Sequence, residues 1–412
     1  MYKILLGVVY TNFVSVTFEY EGFQYETSDF LTAVSWLVYL PLVLLVNPDY
    51  RKPSDFLLFI HLILVISPMI VLMEMGGKSF EFLSYSVASF LLIKAILVFP
   101  NVKIPRVKHG NSVAVSGSII LIVLTFLMLI DSGGFSQISF DFTQIYELRE
   151  ETATVYFGGI WGYITPWAVK VCIPFLLSLS LLKRMYRYTV IIILIQILMF
   201  GITGHRSIAM FSFVAIGIYV TRERSNKNLF ALTLITCFLF SIYLLHIYFD
   251  DVIVSSTILR RAFFLPSFLN YSYYEFFSVN EYVYYSNSIL SWLSEYAYGG
   301  TKLSNVIAGE VLGKPLMGAN TGFLGTSYAH GGVLGMLIIS IFVAVIIKVI
   351  DGLCHKPSDI WFYLSFTTIP MLALFTSAAF FTALLTHGVF MAFMLTWLYR
   401  YDSPRHLNKS VR

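Results

Sequence analysis

Apolar runs recur along the whole length of this chain, each close to the 18 to 20 or so residues that a helix needs to cross a bilayer. Residues 113–130 and 229–247 show the pattern most plainly. Hydropathy patterning predicts about twelve spans, near residues 3–19, 30–46, 56–73, 81–99, 112–130, 159–181, 189–203, 206–220, 229–248, 331–350, 360–377 and 380–399. The expected fold class is therefore an all-α polytopic membrane protein, a single integral domain over residues 1–412. The first run, MYKILLGVVYTNFVSVTF, lacks a small-residue cleavage pattern and is read as a retained helix. No internal repeat or low-complexity tract interrupts the series.

Composition agrees, with 58% hydrophobic and only 12% charged residues, against about 25% charged in a soluble domain. The net charge of +4 is dispersed in short clusters between apolar runs and makes no basic stripe, which excludes nucleic acid as a partner. The linkers NPDYRKPSD, PNVKIPRVKHGN, KRMYR and TRERSNK, the segment from Lys348 to Lys356 and the tail RYDSPRHLNKSVR hold most of the lysine and arginine. They alternate with acidic or neutral linkers, so the positive-inside rule predicts that both termini are cytoplasmic. Two noncytoplasmic linkers are large, 131–158 and 250–330. Uncommitted loops beyond about 12–15 residues are uncommon unless they carry function. The second is rich in Tyr, Phe, Trp and Leu, and short amphipathic helices lying on the outer surface and partly re-entering it are expected there. The three cysteines, Cys172, Cys237 and Cys354, show no metal or disulfide spacing. Trp36, Trp161, Trp167, Trp292 and Trp361 fall near span ends, as an interfacial belt would.

Candidate chemistry gathers on the noncytoplasmic side. Arg149 lies in DFTQIYELREE, Arg206 follows His205 in the short turn GITGHRSIAM, and Arg260 and Arg261 open RRAFFLPSFLNYSYYEFF. Guanidinium donors pair bidentately with phosphate oxygens, so four arginines beside membrane boundaries point to a phospholipid or a polyprenyl pyrophosphate. The rings after Arg261, Tyr273 and Tyr274 among them, suit the C–H faces of sugars as well as burial at the headgroup level. In MGANTGFLGTSYAHGGVLGM, glycines surround Asn320, Tyr328 and His330 and permit close approach of backbone to a ligand or another helix. Within the spans, Lys94, Lys170, His61, His246 and His387 stand out, since a lysine at mid-bilayer costs about 2.5–3.5 kcal/mol. Lys170, well inside its span, argues for an internal cavity.

These stretches, FDFTQIYELREE, FGITGHRS, RRAFFLPSFLNYSYYEFF and GANTGFLGTSYAHGGVLG, resemble in order and spacing the Wzy family of O-antigen and capsule oligosaccharide repeat unit polymerases. The resemblance implies a GT-C-like enzyme of the bacterial inner membrane with two large periplasmic loops, working without metal, nucleotide or other cofactor. It would transfer a growing glycan from undecaprenyl pyrophosphate to the nonreducing end of another undecaprenyl-pyrophosphate-linked repeat unit. Its partners would be that lipid-linked oligosaccharide, membrane lipid and a chain-length regulator of the Wzz type. Pyrophosphate binding is carried over to Arg149, Arg206, Arg260 and Arg261. An arginine-to-glycine spacing of eleven known in the family is not kept, since Ile160, Tyr271 and Ser272 stand at the corresponding positions.

In such a transfer the leaving pyrophosphate needs cations to match its developing charge. The acceptor hydroxyl needs a proton acceptor, for which His330 comes first because it sits in the Gly-rich stretch, with Glu151, Glu275, Glu281 and Glu295 as the other candidates. Tyr273, Tyr274, Asn320, Tyr328 and Lys170 are the expected substrate contacts. An O-antigen ligase or a lipid-linked oligosaccharide flippase is the alternative function.

Overall fold

The computed structural model describes the chain except for residues 102–103, 106, 135–137, 139–157, 289, 293, 355–356 and 401–412. Every regular element among the described residues is helical, with one isolated bridge between Glu26 and Gly76. Eight of the helices are long and apolar enough to cross a membrane.

In chain order the helices are α1 (residues 2–18), α2 (Asp29–Leu45), α3 (Pro53–Met75), α4 (Phe80–Val98) and α5 (Gly110–Asp131). After the first large linker come α6 (Trp161–Leu182), α7 (Tyr186–Thr203), α8 (Arg206–Thr221), α9 (Lys227–Phe249) and α10 (Val252–Phe277). The remainder are α11 (Leu303–Glu310), α12 (Phe323–Leu353), α13 (Ile360–Thr376), α14 (Phe380–Leu385) and α15 (Val389–Leu398). Polar residues set the starts: the Ser28 hydroxyl accepts from the Leu31 N–H, and the Asp251 carboxylate from the Val254 N–H. Pro53 opens α3, where Asp55 accepts from the Arg51 and Lys52 N–H groups.

The core is α3 and α13, with nearly every side chain of both buried. By contrast, α5 and α9 are apolar all round yet mostly exposed, as helices facing hydrocarbon would be. One end of the bundle gathers linkers 46–52 and 222–226 and the described residues of linker 99–109, tied by Lys227 to Asp49, by the Ser54 N–H to Asp351 and by the Arg400 N–H to Asn111. The other end gathers residues 19–28, 76–79 and 250–251 and the described residues of 278–322, tied by Lys78 to Glu275 and Lys314 to Glu21. We call this second one the loop end.

Two expectations need correction. Residues 250–330 are expected to hold short amphipathic helices on the outer surface, partly re-entering it, whereas α10 is a single 26-residue apolar helix. Both its ends nevertheless meet the loop end, Asp250 through α9 and Glu275 through Lys78, while Ser267 between them donates to the Val65 carbonyl within α3. The predicted span 380–399 is likewise broken, into α14 and α15 with a non-helical turn at 386–388.

The largest departure is α12. Its 31 residues are two helices, 323–330 and 333–353, joined by non-helical backbone at Gly331 and Gly332. The Phe323 ring lies 5.5 Å from the ring of His61, well inside α3, whereas the Tyr328 ring meets Phe82 at the loop end of α4. Segment 323–330 therefore climbs toward the loop end, and 333–353 descends until the Lys348 ammonium reaches the Leu97 carbonyl, 3.1 Å away, at the far end. The two backbones nearly touch at the turn, where a Cβ on Gly335 would sit 2.5 Å from the Ser327 carbonyl oxygen. Asn270 of α10 holds the inner tip, its side-chain oxygen accepting from the Gly325 N–H at 2.7 Å and the Thr321 hydroxyl at 3.0 Å.

Candidate functional site

Non-helical backbone inside a membrane bundle is tolerated only where protein buries it or where it lines a water-filled cavity. Here residues 318–322, 377–379 and 386–388 all border one cavity of about 1340 Å³, lined toward the loop end by residues 285–288 and 296–304. Small-molecule sites usually measure about 300–1,000 Å³, so this one has room for something larger.

A fourth irregularity reaches the same space. In α6, residues Ala168–Cys172 form a wide π-turn followed by Pro174. Pro174 has no N–H to offer the Lys170 carbonyl four residues back, and its ring crowds that carbonyl, so the helix widens there. Lys170 stands on this bulge, about 14 Å along its helix at 1.5 Å per residue. Its ammonium is hydrogen-bonded to Nδ1 of His387, which lies in the break between α14 and α15. The Trp167 indole N–H satisfies the Leu385 carbonyl that this break sets free.

His330 lines the cavity at the top of the re-entrant segment and is buried. The Tyr285 backbone N–H donates to its Nδ1 at 3.1 Å, and the two rings stack 4.1 Å apart at 13°. A neutral imidazole whose Nδ1 accepts carries its proton on Nε2, so His330 offers the cavity a donor. Burial pushes the Tyr285 hydroxyl up to about 12, and burial with the neighbouring Tyr298 does the same for Tyr296. Both phenols therefore stay protonated at neutral pH. Hydroxyls of Ser207, Thr326, Ser327, Ser377, Thr382 and Thr386 complete the polar wall. Among the described residues that line the cavity there is no carboxylate.

Of the expected site residues, the cavity brings together His330, Lys170, Asn320 and Tyr273, whose buried hydroxyl donates to the Ala319 carbonyl at 3.1 Å. The GITGHRS turn also arrives, through His205 and Ser207. Other expected residues lie elsewhere. Arg260 is buried, paired with Glu21 and set over the Phe18 ring at 4.0 Å, where it fastens α10 to the end of α1. Arg261 is exposed and does not border the cavity. Glu275 pairs with Lys78 at 2.7 Å, Tyr274 donates to Glu81 at 2.8 Å, and Tyr328 packs among Phe82, Tyr274 and Tyr282. None of these three borders the cavity. Arg149 and Glu151 lie outside the described residues, as does the side chain of Arg206.

His387 and Tyr285 were not among the expected site residues. His387 carried a signal, as an ionisable residue inside an apolar run just before Gly388. Tyr285 carried none, because its role rests on its backbone N–H. No family model, curated protein or solved structure matches this chain. The class it belongs to is thus defined by fold and site alone: a helical, membrane-embedded protein with a large polar cavity built on broken helices.

Proposed function

We propose that this protein polymerises lipid-linked oligosaccharide repeat units, of the O-antigen or capsule kind, at the loop end of its bundle. The observation that carries the reading is the cavity: roomier than most small-molecule sites, walled by hydroxyls and protonated phenols, and supplied with cations but no described carboxylate. Hydroxyls and rings suit a glycan, and cations suit the phosphates of its carrier. Broken helices converging on a polar chamber are how membrane bundles bring donors to a buried substrate. The sequence motifs that resemble the polymerase family support the same reading, since GITGHRS and GANTGFLGTSYAHGG both border the chamber.

In the reaction proposed, an acceptor sugar hydroxyl attacks C1 of the donor glycan and the C1–O bond to pyrophosphate breaks. Charge grows on the departing phosphate, and fixed cations that match it contribute the main stabilisation. His330, with its Nδ1 taken by Tyr285, would orient or polarise a substrate oxygen through Nε2–H instead of accepting the proton. Glu275, tied to Lys78, is poorly placed as a base. That leaves Glu151, Glu281 and Glu295 as the candidates for the base. About twelve crossings, a GT-C-like arrangement, the inner membrane, cytoplasmic termini and a Wzz-type partner belong to the same proposal.

Deleting the gene in its host and resolving the surface polysaccharide on a gel tests it. The proposal expects the ladder to collapse to a single repeat unit and to return with the wild-type gene. If no repeat unit reaches the surface at all, the chain is a ligase or a flippase.

A further inference from the structure

Lys170 and His387 touch deep in the cavity, the ammonium against Nδ1 of the ring. Lys170 is half-buried and has no ion pair to a carboxylate among the described residues. An ammonium partly withdrawn from water is costly unless an opposite charge compensates it. When His387 accepts from Lys170, its other nitrogen bears a proton, so the pair presents only donors to the cavity. Thr382, Thr386 and Ser377 add hydroxyls to the same cavity. Ser377 and Thr386 lie in the breaks that flank α14, and Thr382 lies within that short helix.

We infer that Lys170 and His387 form an anion subsite in the inner part of the cavity, and that the ligand it fits is a phosphoryl group. A planar carboxylate is satisfied by donors near one plane, whereas a tetrahedral phosphoryl group accepts from several directions, as an ammonium from α6 together with an imidazole N–H and hydroxyls from residues 377–387 would supply. The inference rests on reading the cavity as the substrate chamber. It also supplies the phosphate contact that Arg260, committed to Glu21, does not make. The phosphoryl group has two sources, the carrier phosphate of a substrate or the headgroup of a membrane phospholipid, and both use the same donors.

The test uses the full-length protein in phosphatidylcholine nanodiscs, titrated with inorganic pyrophosphate and followed by calorimetry. Saturable binding is expected, and Lys170→Met should weaken it about ten- to hundredfold, the worth of a hydrogen bond to a charged group. His387→Gln should weaken it less, Lys170→Arg should keep most of it, and Lys183→Met, at the far exposed end of α6, should leave it unchanged. If Lys170→Met fails to fold, as judged by elution and melting, Lys170→Arg and His387→Gln decide between them by the same order of affinities. Unchanged affinity in Lys170→Met and His387→Gln, an equal loss in Lys183→Met, or no binding by the wild type overturns the subsite. Competition by added phosphatidylglycerol would assign the phosphoryl group to a headgroup, and its absence to the carrier. Loss of the polysaccharide ladder assignment with pyrophosphate binding intact would strike the polymerase reading alone. Polymer formation undiminished in Lys170→Met would strike the subsite alone.

Discussion

His330 enters the cavity with one ring nitrogen already engaged. Because the Tyr285 N–H holds Nδ1, the proton resides on Nε2, and the residue acts as a donor. Gln places an N–H near the Nε2 position and Asn places an oxygen near Nδ1, so the two replacements separate the roles. His330→Gln should keep a substantial part of the activity, within about tenfold of wild type, whereas His330→Asn, which loses the donor, should fall about a hundredfold. Nitrogen-15 NMR of labelled histidine reads the tautomer directly and independently of any assay; a proton on Nδ1 would refute this reading. At this scale the sequence was partly legible. Lys170 and His387 declared themselves as ionisable residues inside apolar runs, where their cost demands a reason. Arg260 gave the opposite impression, since its partner Glu21 lies 239 residues away and nothing local announces the pairing.

Elements were legible wherever a hydropathy window and a real helix coincide, as in α3, α4, α5 and α9. They were not where apolar chain turns back on itself, because hydropathy records composition and is blind to direction. The run through Gly331 and Gly332 reads as one stretch yet folds as two antiparallel helices, Gly332 at φ +59° with the Tyr282 hydroxyl close to where a Cβ would be. A subtler mark was present: prolines follow the π-turns at Leu62–Ile66, Ala168–Cys172 and Ser256–Phe264, as Pro68, Pro174 and Pro266. Each removes a donor from the preceding turn and lets it widen. The re-entrant tip makes the sharpest demand on packing. A Cβ on Gly322 would sit 2.0 Å from the Phe375 carbonyl oxygen, so Gly322→Ala should force the tip away from α13. Overpacking of this kind costs about 1–3 kcal/mol. A lowered melting temperature in detergent, together with lost pyrophosphate binding, is the expected result; an unchanged melt would show that the tip does not pack against α13.

For the whole molecule, the alternation of basic and neutral linkers already implied two chemically different ends, and the fold does gather linkers 46–52 and 222–226 and the described residues of linker 99–109 at one of them. Hidden from the sequence was that the functional candidates of several distant segments, from the turn at His205 to the break at His387, converge on a single chamber lined also by residues 285–288 and 296–304. Convergence of that kind depends on the tertiary path of α10, α12 and α13, and no linear window contains it. The chamber also explains two of the ionisable residues inside apolar runs, Lys170 and His387, which face it instead of hydrocarbon.

The central claim is that this chamber joins lipid-linked repeat units. The direct measurement is to incubate the purified protein in nanodiscs with lipid-linked repeat units extracted from the deletion strain, and to read the products by mass spectrometry. The account predicts a ladder spaced by one repeat unit, still attached to pyrophosphate carrier, and strongly reduced for Lys170→Met. Extract that stays at one repeat unit with wild-type protein, or a product transferred to a lipid A core, would contradict it.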